Sequence, residues 1–186
     1  FANQGRSFKP TFIKKILDRD GNLLEENLPS FYFGEELNAE EQVIAPQTAY
    51  LITYLLQGVV QHGTGWRARS LGRPVAAKTG TTDQFMDAWF IGYTPQWITG
   101  IWVGFDEERS LGENETGARA ASPIWVTFMS KILKDKPMKD FPVPEGVEFM
   151  KIDPQTGQVS SGREGILECF REGTGPPQKA PSPLKT

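Results

Sequence analysis

Two periods of apolar residues run along this chain. Between Pro46 and Gly63, Ala49, Ile52, Leu56 and Val59 recur at three-to-four spacing. A proline suited to the first helical position and a closing glycine bound the run, so it predicts a helix. A second stripe, Ala121, Trp125, Phe128 and Ile132 with Met129 and Leu133 beside it, predicts another helix with Pro123 in or near its first turn. Between them the pattern changes. Arg73 to Thr82 opens with small apolar residues and ends in polar ones, as a short strand would. Ala88 to Tyr93 reads as a second strand, and Trp97 to Phe105, rich in β-branched and aromatic residues, as a third after the turn Thr94-Pro95-Gln96. Short connections make these three an antiparallel meander. The later helix would lie on one face of it, an α+β arrangement with covering helices.

The flanks carry weaker signals. Ala2-Asn3-Gln4-Gly5 reads as a helix end closed by glycine. Thr11 to Leu17 and Asn22 to Glu25 flank Asp18-Arg19-Asp20-Gly21, whose Asp-Gly signals a hairpin, while Phe12, Ile13, Ile16 and Leu17 would also suit two helical turns. Asn27 to Ala45 reads as a loop anchored by Phe31-Tyr32-Phe33. Glu108 to Gly117 is a loop before the second helix. Beyond it, Lys134 to Pro144 is an extended linker. Val147 to Ile152, the turn Asp153 to Gly157 and Gln158 to Ser160 suggest a small hairpin outside the main sheet, and Glu172 to Thr186 has the composition of a disordered tail. The expected division is therefore 1–136, 137–172 and 173–186.

Composition narrows the function classes. With 186 residues, 38% hydrophobic and 23% charged, the chain has the profile of one globular core. A net charge of -3 and a pI near 5.3 offer no basic face for nucleic acid and no polybasic membrane patch. One cysteine, Cys169, and one histidine, His62, are too few for a zinc site, and His62 at a helix end suits capping better than catalysis. Asp83 with Asp87, and Asp106-Glu107-Glu108, are candidate carboxylate pairs or metal ligands, but nothing in the sequence completes a ligand set. No cofactor is expected. Gly63-Thr64-Gly65 is not a phosphate loop, because Lys78-Thr79-Gly80 reverses the order that such a loop requires.

The chemistry concentrates at Lys78-Thr79-Gly80-Thr81. Alternation on a strand points Thr79 and Thr81 one way and Lys78 the other, while Gly80 lets a ligand backbone lie along the strand. Two hydroxyls beside a lysine would hold a peptide carboxylate. An isolated Lys-Thr-Gly is more often a surface strand with a solvated lysine, so its surroundings decide.

Those surroundings are Gly63-Thr64-Gly65-Trp66-Arg67-Ala68, Ala77 to Thr82, Asp87-Ala88-Trp89-Phe90-Ile91-Gly92-Tyr93-Thr94-Pro95, Trp102-Val103-Gly104-Phe105-Asp106 and the run Ala118 to Leu133 with Ala121-Ser122-Pro123-Ile124-Trp125. In this order they resemble the transpeptidase domain of class A, bifunctional penicillin-binding proteins, from about Phe1 to Thr174. The resemblance implies a partial β-lactamase/transpeptidase-like fold and a serine DD-transpeptidase acting on peptidoglycan stem peptides, with β-lactam antibiotics as substrate mimics. It also implies a parent anchored in the bacterial cytoplasmic membrane with this domain outside. Lys78 would supply positive field, Thr79 and Thr81 would bind the substrate carboxylate along the bare backbone at Gly80, and the Thr81 N–H would form half of an oxyanion hole. The family's Ser-x-x-Lys and Ser-x-Asn motifs are expected before Phe1. The one Ser-x-x-Lys here, Ser182 to Lys185, lies in a proline-rich tail, and no Ser-x-Asn occurs. The chain is thus expected to be the C-terminal half of such a domain, inactive without its N-terminal half. The alternative is a noncatalytic envelope module that binds peptide or a partner strand along the Lys78 edge. Trp89 and Trp102, as tryptophans on strands under a helix, are expected in the core and left out of the site.

Overall fold

The structure is a computed structural model, and it describes residues 1–7, 12–27, 42–160 and 165–177. The Phe31-Tyr32-Phe33 cluster, the Ser182 to Lys185 motif and most of the tail lie outside the described residues.

The Asp-Gly signal makes a hairpin, with β1 at Lys15–Leu17 antiparallel to β2 at Leu23–Glu26. Its turn is organised by one carboxylate: Asp18 accepts from the backbone N–H groups of Asp20 and Asn22, both at 2.8 Å, and from the Asn22 side-chain amide at 2.9 Å. The Asn22 amide leads in holding the Asp18 carboxyl below its ordinary pKa. Gly21 takes the left-handed conformation (φ 85°) that the turn needs.

The centre of the molecule is the expected meander. Strand β3 (Ala76–Thr81) pairs antiparallel with β4 (Ala88–Tyr93), which pairs antiparallel with β5 (Ile98–Val103). Partners run from Ala76 with Tyr93 to Thr81 with Ala88, and from Ala88 with Val103 to Tyr93 with Ile98. Parity sorts the faces. Ala77, Ala88, Phe90 and Gly92 turn toward helix α2 (Ser122–Ile132), where Trp125 and Met129 are fully buried. The Trp125 ring lies 5.1 Å from Phe90 and donates its indole N–H to the Thr99 carbonyl at 2.9 Å. It approaches so closely that a Cβ on Gly92 would stand 2.7 Å from it.

This anchoring corrects the expected stripe. With Trp125 fixed on Gly92 and Thr99, the i+4 row comprising Ala121, Trp125, Met129 and Leu133 turns inward. Phe128 is 46% exposed and Ile132 only partly buried. Trp89 and Trp102 also depart from expectation. Parity places them on the face away from α2, 42% and 43% exposed, with ring centroids 6.4 Å apart.

Helix α1 (Pro46–His62) begins with proline and ends at Gly63 as the sequence predicts. Its fully buried positions, however, are Ala49, Thr53 and Val60; Ile52, Leu56 and Val59 are half-buried. Thr53 is tolerated inside because its hydroxyl donates to the Ala49 carbonyl (2.9 Å) and pairs with the Tyr93 hydroxyl (3.0 Å). Val60 joins Val75, Ala77 and Trp125 in the main core, while Tyr50 and Leu56 pack on a second cluster of Ala76, Tyr93 and Phe141.

The last strands give a further correction. β6 (Val147–Ile152) pairs along its length with β7 (Ile166–Arg171), and the expected return through residues 158–160 forms only at its end, where the Ser160 N–H donates to the Lys151 carbonyl (2.8 Å) and the Asp153 N–H to the Gln158 carbonyl (2.9 Å). The turn Asp153 to Gly157 does form, closed by Gly157 N–H to the Asp153 carbonyl (2.8 Å), but Ile152 makes only an isolated bridge to Val159. The pair rests on α1 through Tyr50 and Tyr54, whose rings meet Phe149 edge-on, and through the Tyr54 hydroxyl bonded to the Leu167 carbonyl.

Candidate active-site edge

Sheet order leaves β3 at one edge, with no other strand on its outer side among the described residues. Which of its backbone groups face outward follows from the turn. The Thr82 N–H donates to the Asp87 carbonyl at 3.1 Å, so Thr82 and Asp87 form a hydrogen-bonded pair. Such pairs alternate in an antiparallel ladder, and the same register continues into β3. Gly80 and Lys78 are therefore bonded to β4, while Thr79 and Thr81 turn their N–H and C=O groups to the open side. The Thr79 carbonyl accordingly accepts the Lys78 ammonium at 2.7 Å.

The side chains follow the expected parity. Lys78 is exposed on the face that also carries Trp89 and Ile91, and Thr79 and Thr81 lie on the other. Gly80 matters sterically, because a Cβ there would sit 3.2 Å from the Trp89 Cβ. The structure thus brings Lys78, Thr79, Gly80 and Thr81 together along about four residues of open edge.

Two further residues touch this edge, and a third ties them together. Thr64, on the turn after α1, pairs its hydroxyl with that of Thr79 at 2.8 Å. The Gly117 N–H donates to the Thr81 hydroxyl oxygen at 3.1 Å. Gly117 opens a π-turn, Gly117–Ala121, in which the Ser122 N–H reaches back to the Gly117 carbonyl. This turn presses so hard on the sheet that a Cβ on Gly117 would stand 2.1 Å from the Trp89 carbonyl oxygen and 2.7 Å from that of Gly80. Arg67, in the 3-10 turn Trp66–Leu71, donates to the Ala118 carbonyl at 2.6 Å and so ties the Thr64 segment to the π-turn. The sequence pattern holds Thr64 and Arg67 inside a motif and Gly117 at the end of a loop, without giving any of them a role. A Gly-Thr-Gly directly after a helix was the available signal for the first.

Asp87 serves the scaffold. Its N–H donates to the Thr82 hydroxyl (2.8 Å), and its carboxylate accepts from that hydroxyl (3.2 Å) and from the Trp102 indole (2.8 Å). Among the described residues no group of three or more His, Cys, Asp or Glu side chains is placed to hold a metal ion. His62 lies exposed in the last turn of α1. Cys169 is half-buried on β7, where burial pushes its thiol up to about 11, with the Glu168 charge adding to the shift.

What the arrangement can do chemically is limited and specific. An extended peptide could pair with the outward groups of Thr79 and Thr81, its anionic end meeting two hydroxyls, with a lysine on the opposite face.

Comparison with known proteins accords with this geometry. The family model of the penicillin binding protein transpeptidase domain matches residues 1–124. Penicillin-binding protein 1A of Aquifex aeolicus is 42% identical over 177 residues, which is 95% of this chain and 23% of that protein. Penicillin-binding protein 1A of Pseudomonas aeruginosa is 34% identical over 221 residues, 95% of this chain and 27% of that protein. The crystal structure of penicillin-binding protein 1A from Haemophilus influenzae superposes with a TM-score of 0.84 at 30% identity, covering 96% of this chain and 31% of that one. This chain therefore spans about a quarter of the length of the curated relatives it matches.

Proposed function

Because this chain belongs to the penicillin-binding protein transpeptidase family, we propose that it forms one wall of a DD-transpeptidase site in a longer protein that cross-links peptidoglycan stem peptides. The observation that carries the reading is the open edge of β3, with Lys78, Thr79 and Thr81 arrayed around a bare Gly80. The stem peptide lies along β3 as an added strand. Its terminal carboxylate binds the Thr79 and Thr81 hydroxyls, and Lys78 raises the positive potential beside them. A serine outside this chain attacks the carbonyl between two terminal D-alanines, the last D-alanine leaves, and an amine from a neighbouring stem resolves the acyl-enzyme. The Thr81 N–H, on the open side of the strand, stabilises the oxyanion as one of two donors. Losing such a donor costs on the order of 3 kcal/mol of transition-state energy.

Under this reading residues 1–136 belong to the catalytic domain and 137–172 to a small β extension, with the longer protein held at the outer face of a bacterial cytoplasmic membrane. β-Lactams compete for the site because they imitate the terminal dipeptide. Neither cofactor nor nucleic acid takes part.

The test is covalent labelling by a fluorescent penicillin, read by intact mass, on this chain alone and on the full-length protein. Labelling of the full-length form alone is expected. Labelling of neither would favour a noncatalytic module that binds peptide along the Lys78 edge, and labelling of the short chain would overturn the placement of the nucleophile.

A further inference from the structure

A threonine hydroxyl has one proton to give, so its role toward an anion depends on what else it bonds. At Thr81 the question is settled by Gly117: that N–H occupies the hydroxyl oxygen at 3.1 Å, and a backbone amide cannot accept in return. The Thr81 proton is left to donate outward. At Thr79 the partner is another hydroxyl, Thr64 at 2.8 Å, and either oxygen can be the donor. If Thr79 donates to Thr64, it presents only lone pairs to an incoming carboxylate. If Thr64 donates, Thr79 keeps its proton for the anion, and the edge offers two parallel donors.

We propose that Thr64 is a positioning residue that donates its hydroxyl proton to Thr79 and thereby turns the Thr79 proton toward the substrate carboxylate. The inference rests on the reading of Thr79 and Thr81 as a carboxylate site. An arriving anion favours this arrangement, since it adds a charge-assisted bond from Thr79 while the bond between the two hydroxyls is kept with Thr64 as donor. Thr64 is held for the task. It lies between Gly63, whose N–H caps α1 on the Val59 carbonyl (3.0 Å), and Gly65, bonded to the same carbonyl (3.1 Å). Arg67 then fixes the segment to the π-turn that carries Gly117. The two hydroxyls are thus oriented by neighbours on segments that are themselves tied together.

The experiment compares acylation of the full-length protein by a penicillin and by its methyl ester, which lacks the carboxylate charge, in wild type, Thr64→Val and Thr64→Ser. The expected result is that Thr64→Val lowers the acid-over-ester preference by about fivefold, the size of the one neutral hydrogen bond that orients Thr79, and that Thr64→Ser restores it. A preference unchanged in Thr64→Val, or equal losses for acid and ester, would overturn the inference while leaving the transpeptidase reading intact. A wild type that prefers neither form would sink the carboxylate site, and with it the role of Thr64. A fold defect in Thr64→Val would lower acid and ester acylation together, so it cannot mimic a change in their ratio.

Discussion

At the scale of single residues, Lys78 and Cys169 are opposite cases of what burial does to a reactive group. Lys78 is exposed at the β3 edge, its ammonium bonded to the Thr79 carbonyl. We predict that Lys78→Ala in the full-length protein slows β-lactam acylation on the order of a hundredfold without lowering the melting temperature, because the site loses positive field while no packing is lost. Stopped-flow acylation with a parallel thermal melt checks both halves. Cys169 is half-buried with its thiol pushed up to about 11. At pH 8 its thiolate is scarce, so reaction with a disulfide reagent should run on the order of a hundredfold slower than for free cysteine. The shift also fixes a sign. The folded state favours the neutral thiol, so this contribution to stability is present below the ordinary value of 9.0 and fades as pH rises toward about 11. Denaturation midpoints that rose across that interval would contradict it. The tetrad was legible in the sequence because its four residues are adjacent and strand parity alone sorts their side chains. Thr64 and Gly117 were not, since they reach the threonines from 15 and 36 residues away through the tertiary fold.

At the scale of elements, strand identity and helix existence were readable while helix phase was not. Alternation located the meander, and β4 falls on the expected Ala88–Tyr93. The rotation of α2, by contrast, is fixed by an indole lodged on Gly92 and bonded to the Thr99 carbonyl, a constraint from another element. β7 escaped notice because Ile166-Leu167-Glu168-Cys169-Phe170-Arg171 lacks the alternation of a half-buried strand and is tied to α1 through its backbone, the Leu167 carbonyl accepting from the Tyr54 hydroxyl. The β3–β4 turn depends on one carboxylate, that of Asp87, which joins Thr82 to the Trp102 indole. We predict that Asp87→Ala costs about 1–2 kcal/mol, read as a lowered urea midpoint with an unchanged slope. A midpoint equal to wild type would mean that the turn is held by its backbone alone.

At the scale of the molecule, the three-stranded sheet has two edges, β3 and β5. β5 has no second neighbour among the described residues, and Ile98 there is 65% exposed. With Trp97, Ile91, Trp89 and Trp102 also between 42% and 45% exposed, the 186-residue chain carries more apolar sheet surface than a monomer usually leaves in water. We predict that it self-associates in isolation. Sedimentation velocity over a hundredfold concentration range should show a rising mean mass, and a sharp monomeric boundary with a concentration-independent melt would refute this.

The exposure of Trp89 beside the bare Gly80 carries one more consequence. Its ring stands on the strand neighbouring the tetrad, within reach of Trp102, and both rings are partly open to solvent. A peptide laid along β3 alters the water around the nearer indole first. Under the proposed reading, occupancy of the edge should therefore change the intrinsic emission of the protein, so that a ligand that never reacts is titrated by light alone.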